Sequence, residues 1–114
     1  FLDKNNNIIA QGFVSQKVFA IPNEFALHQN FPNPFNPVTT ILYDLPQESY
    51  VYLVIYDILG REVKTLFNSK EEAGYKSIRW DGRNNFGQKV SAGMYFYRIE
   101  TSGYVKANKM ILLK

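Results

Sequence analysis

The residues able to do chemistry in this chain are few, and their spacing works against catalysis. His28 is the only histidine and there is no cysteine. A nucleophile needs a base within hydrogen-bond reach, and neither such a pair nor a Gly-x-Ser-x-Gly turn is present. His28 therefore reads as a turn residue. Glu71 and Glu72 are adjacent, so in extended chain they point to opposite sides and form no acid–base pair. Asp3-Lys4-Asn5-Asn6-Asn7 starts like a calcium loop, but Ile8 and Val14 stand where Gly and Glu are required. A polar turn is the expected reading. Gly82-Arg83-Asn84-Asn85-Phe86-Gly87-Gln88-Lys89 is superficially a phosphate loop. Its lysine does not directly follow the second glycine, because Gln88 intervenes, and no helix follows. The expectation is a non-catalytic protein with no cofactor and no metal centre.

What remains is binding chemistry. Aromatic residues make up 16% of the 114, including 8 Tyr and 9 Phe. Tyrosines on an exposed sheet can stack on sugars, which leaves a carbohydrate-binding module as one reading. The other places the rings in a core or an interface. The net charge is +3, and the basic residues alternate along the chain with acidic ones. A nucleic-acid reader gathers its cations into a stripe, so no nucleic-acid partner is expected. The first residue is Phe, which suggests a processed product or a fragment, and no signal-peptide pattern is visible. The longest apolar run, Val51 to Tyr56, is too short to span a bilayer.

The elements that carry these residues read as strands. Leu27 to Pro37 holds three prolines and three asparagines between Asn30 and Pro37. Proline fixes φ and removes a donor, so this stretch must be a rigid, extended lead-in. It divides an N-terminal arm, 1–26, from a compact domain, 27–114. Six strands are predicted after it. Thr39 to Leu45 buries Ile41, Tyr43 and Leu45. Tyr50 to Asp57 is the most strongly apolar. Asp57-Ile58-Leu59-Gly60 has type I turn chemistry. Glu62 to Phe67 turns Val63 and Leu66 inward despite imperfect alternation, and Asn68 to Gly74 is a loop. Tyr75 to Trp80 places Ile78 and Trp80 on one face. A long loop, 81–92, leads to Gly93 to Thr101, where Tyr95, Tyr97 and Ile99 share a face. Ser102-Gly103 is a hairpin turn, and Tyr104 to Leu113 closes the domain. The spacing predicts an all-β, Ig-like antiparallel sandwich of about seven strands with an extended N-terminal arm.

One pattern departs from a plain sandwich. Outward positions should be polar, yet Tyr52, Val54 and Tyr56 share one face, and Met94 and Phe96 lie on the outer side of theirs. If the two strands are neighbours, they form an apolar patch that a partner or a covering segment would use. The arm supplies apolar residues for that purpose at Ile8, Ile9, Phe13, Val14, Val18 and Phe19. It would cover its own domain, or insert as a strand into another copy and build a filament.

Several blocks in order resemble the C-terminal sorting domains of type IX secretion cargo. They are Gln29-Asn30-Phe31-Pro32-Asn33-Pro34-Phe35-Asn36-Pro37, Thr39-Thr40-Ile41 and Leu45-Pro46. Val51 to Asp57 with Gly60-Arg61-Glu62-Val63 follows. Ala73-Gly74, Trp80-Asp81-Gly82, Gly87 and Ser91 to Tyr97 continue the pattern, which ends at Lys109-Met110-Ile111-Leu112-Leu113-Lys114. The same pattern is similar to the Ig-like domain of flagellar hook-capping proteins. The resemblance implies a secreted, non-catalytic address domain at the surface of a Gram-negative bacterium. It would be read by outer-membrane secretion machinery through Lys109 to Lys114. A typical cargo carries a large passenger upstream, where this chain has only the arm.

Overall fold

The computed structural model describes residues 20–113. The arm residues Ile8, Ile9, Phe13, Val14, Val18 and Phe19, and Lys114, lie outside them. Seven strands are present: β1 (Ala26–Leu27), β2 (Thr39–Leu45), β3 (Ser49–Tyr56), β4 (Glu62–Glu71), β5 (Gly74–Trp80), β6 (Gly93–Thr101) and β7 (Tyr104–Leu112). They form two antiparallel sheets, ordered β1-β2-β5 and β4-β3-β6-β7. The layers close on alternating residues, as the expected Ig-like sandwich requires. Ile41, Tyr43 and Leu45 of one sheet, with Val51, Leu53, Ile55, Tyr97 and Ile99 of the other, are all at or below 1% exposure. Full burial of each such side chain stabilises the fold by about 1.5–3 kcal/mol before entropy is counted.

β4 differs from the expected strand, and the register explains it. Leu53 pairs Phe67 while Val54 pairs Thr65; Ile55 pairs Lys64 while Tyr56 pairs Glu62. Leu66 and Val63 are thus the extra residues of two β-bulges. Both pack against the core, which a strict two-residue period forbids and a bulge permits. Beyond them β4 continues to Glu71, with Ser69 and Lys70 opposite Val51 and Tyr50. The predicted loop over 68–74 is therefore mostly strand. Its polar composition reflects an edge position, and only Glu72 and Ala73 turn the chain.

The proline segment works as a strap. His28 N donates to Leu42 O, and Phe31 exchanges two backbone bonds with Thr40, so the strap runs along the edge of β2. It then crosses to the other sheet. Phe35 N donates to Ile111 O and Leu113 N to Phe35 O, with Phe35 in a parallel bridge to Leu112. The Phe35 ring is 1% exposed and tilts against Trp80 with ring centres 5.7 Å apart. Tyr95 meets Trp80 edge-on at 5.5 Å. These three rings are the centre of the core at one end of the sandwich.

The two ends differ. At the turn end lie the tight connections over 46–48, 72–73 and 102–103, and Ala26 enters there opposite Asp44. At the loop end lie the 57–61 turn, the 81–92 loop, the start of β2 and the finish of β7, since Thr39 faces Trp80 and Gly93 faces Leu112.

Candidate recognition surface

β7 is built as an anchored strand with one reachable side. Met110 and Leu112 are buried, at 0% and 2%. Ile111 and Leu113 are 40% and 54% exposed, and Lys109 is exposed beside them. Of the six C-terminal candidates, the four within β7 divide by alternation: Lys109 and Ile111 face out, and Met110 and Leu112 hold the core. Leu113 faces out just beyond the strand.

β7 is also an edge strand, and an unpaired edge invites other strands. Here the strap closes its final third. Asn33 Oδ1 accepts from Ile111 N at 3.0 Å, Gln29 Nε2 donates to Lys109 O at 2.9 Å, and Phe35 takes the remaining Ile111 and Leu113 groups. Asn85 does the same for β4, receiving Thr65 N on its side-chain oxygen at 3.0 Å while its own N–H donates to Val63 O. A partner that reads the end of β7 meets its side chains and not its main chain.

A buried polar hub holds the strap. Tyr97 OH donates to His28 O at 2.6 Å and accepts from Asn30 N at 2.8 Å. Asn30 Nδ2 donates to Thr39 Oγ1 at 2.9 Å, and Thr39 donates on to Pro32 O at 2.8 Å. Burial pushes the Tyr97 hydroxyl pKa up, against the opposing bonds from Asn108 and Asn30, so it stays protonated as a donor. His28 itself is exposed and pairs Asp44 at 2.9 Å, a surface contact made from the extended strap and not from the expected turn.

The outer-face candidates do come together. Tyr56 pairs Phe96 across β3 and β6, Val54 pairs Arg98 and Tyr52 pairs Glu100. Met94 sits opposite Ile111 on β7, which joins this face to the outward side of the C-terminal strand. One candidate is not available to a partner. Val54 is 0% exposed although it is outside the core cluster. Its neighbours on that face are Tyr52 and Tyr56 along β3 and Arg98 across, all half-buried. Large neighbours cover it, which the residue type alone does not reveal.

The loop end carries turns that sequence reasoning did not single out as sites. Asp57 Oδ1 accepts from Leu59 N and Arg61 N at 2.9 and 3.0 Å, and its Oδ2 takes Arg61 Nε at 2.9 Å. The bond from Arg61 N, ahead of the other contacts, holds the Asp57 carboxyl below its ordinary range. Asn84 Oδ1 likewise accepts from Phe86 N and Gln88 N. Among the described residues no three His, Cys, Asp or Glu side chains gather where a metal could sit, and no helix is long and apolar enough to cross a membrane.

The architecture is that of a FlgD-type immunoglobulin-like domain. The model of the FlgD Ig-like domain matches residues 37–103, more than half of the chain, which belongs to that family. Among solved structures it is similar to dimeric latent PorU from Porphyromonas gingivalis, at 26% identity and a TM-score of 0.62 over 86% of this chain. It is also similar in fold to PorZ of the same bacterium, a surface component of the type IX secretion system, at 20% identity and a TM-score of 0.50 over 79% of the chain. FlgD from Pseudomonas aeruginosa aligns at 23% identity and a TM-score of 0.53, over 70% of each chain. The chain spans only 10% of PorU and 11% of PorZ. No curated protein matches it.

Proposed function

We infer that this is a non-catalytic address domain of a secreted or surface-attached protein in a Gram-negative bacterium. It is read as a folded unit by type IX secretion machinery. The observation that carries the reading is the likeness to PorU at 26% identity across 86% of this chain, joined to the block pattern that runs from Gln29 to Lys114. The arrangement of β7 supports it: Met110 and Leu112 secure the strand while Lys109, Ile111 and Leu113 face outward. The alternative of a filament built by strand donation has less to work with. The strap closes the end of β7, Asn85 closes the start of β4, and the face expected to receive a donated strand already buries Val54.

The test is export of a reporter fused ahead of this chain, in a bacterium that possesses the machinery. The wild-type fusion is expected outside the cell. Lys109→Glu with Ile111→Thr keeps the core residues and is expected to leave the reporter in the periplasm while circular dichroism of the domain is unchanged. Retention of the wild-type fusion sinks the sorting role. Undiminished export of the folded double variant sinks the assignment of β7 as the part that is read.

A further inference from the structure

The four large apolar side chains most open to solvent among the described residues are Phe86 at 85%, Phe31 at 77%, Leu59 at 72% and Ile58 at 67%. All four belong to the loop end. Ile58 and Leu59 cap the β3–β4 connection, Phe86 stands at the tip of the 81–92 loop, and Phe31 lies opposite Thr40 near the start of β2. Single exposed apolar residues are ordinary, but the most exposed ones gathered at one end are not. Nor are they on slack loops. The Asp57 and Asn84 side chains bond the backbone at Leu59 and Phe86, and Phe31 is held to Thr40 by two backbone bonds. The tips are fixed in the solvent-facing position.

The fold sorts charge along the same axis. Cutting each strand at its midpoint, the loop-end half holds Arg61, Lys64, Arg79, Arg83, Lys89 and Lys109 against Asp57, Glu62 and Asp81. The turn-end half holds four cations against six carboxylates. The acidic groups at the loop end are already engaged. Asp57 faces Arg61 at 2.9 Å and Asp81 faces Arg83 at 3.8 Å, while Glu62 accepts from Thr65 and Asn85. Lys64, Arg79, Lys89 and Lys109 make no ion pair among the described residues.

We propose that the loop end docks on an anionic lipid surface, with Ile58, Leu59 and Phe86 entering the interface and the surrounding cations meeting phosphate headgroups. Separate protruding tips suit a deformable apolar medium, which needs no matching shape. Net positive charge at this end and net negative charge at the other orient the domain toward such a surface. The turn end, where Ala26 lies opposite Asp44, then points away from the lipid. This inference does not depend on the sorting role.

The test is sedimentation of the full chain with vesicles of phosphatidylcholine alone or mixed with phosphatidylglycerol. Binding is expected to the mixed vesicles and to weaken in about 0.5 M salt, where the Debye length falls to a few ångströms. The triple variant Ile58→Ser, Leu59→Ser, Phe86→Ser is expected to bind at least about tenfold more weakly, given the interfacial burial lost at three side chains. Lys89→Glu should weaken it with no apolar change, and Tyr75→Ser, exposed at the turn end, should not. An unchanged thermal melt establishes that each variant is folded. Absence of wild-type binding to the mixed vesicles overturns the proposal. Equal binding by wild type and triple variant overturns it as well.

Discussion

Tyr97 shows how one hydroxyl can join two layers. Its ring lies in the core on β6, and its oxygen reaches the strap, which is hydrogen-bonded to the opposite sheet. Tyr97→Phe keeps the ring and orphans the backbone N–H of Asn30, a residue only 2% exposed, while His28 O keeps its bond from Asn108 Nδ2 at 3.3 Å. Leaving a buried group unsatisfied costs about 1–3 kcal/mol. The variant is expected to lower the unfolding free energy by that amount, read as a lower urea midpoint with an unchanged slope. An unaltered midpoint would mean that water replaces the hydroxyl and that the hub is not what secures the strap. Nothing in the residue order marks this tyrosine out from its neighbours. Tyr95 and Tyr97 are both legible as inward-facing, but the partner of Tyr97 lies 67 and 69 residues earlier.

At the level of elements, the open edges set the risk. Part of β7 and part of β4 are closed by asparagine side chains and backbone, which leaves β5 as the long edge without a neighbouring strand. It carries a built-in deterrent. Lys76 alternates with Ile78 and Trp80, so it is on the inward side, half-buried opposite Tyr43. A second strand laid against β5 would bury that ammonium, at an electrostatic cost. Lys76→Thr has good strand propensity and is expected to raise association, read as larger particles in light scattering at high concentration. Unchanged monomer would show that the edge is protected by something else. The strands were legible in proportion to how regular they are. β2 and β6 have the predicted limits, Thr39 to Leu45 and Gly93 to Thr101, because their alternation is clean. The last part of β4, Asn68 to Glu71, is polar because it lies at a sheet edge, so its composition alone reads as a loop. β1 is two residues long and is defined only by the β2 edge it meets, so no local pattern could announce it.

For the molecule as a whole, the sandwich and its antiparallel order followed from alternation and turn chemistry, while the surface followed from topology. The cations looked dispersed along the chain because strands that run in opposite directions carry them in turn to the same end. The outer patch was legible as residue types, and its reduction by the burial of Val54 was not. Closure of the whole depends on β7. A chain cut after Lys109 loses Met110 and Leu112, and removal of each such buried side chain costs about 2–5 kcal/mol. The total stability expected for a small domain is about 5–15 kcal/mol, and the strap also loses its backbone partners at Ile111 and Leu113. The shortened chain is expected to show no cooperative thermal transition in near-ultraviolet circular dichroism. A sharp melt would mean that the first six strands are self-sufficient.

The contact between Phe35 and Leu112 has a further consequence for the order of events in the cell. The first half of the clasp is synthesised dozens of codons before the second, and it must wait. A product abandoned by the ribosome before Leu112 cannot fasten, so a half-made chain would leave translation with its sandwich open and exposed to proteases.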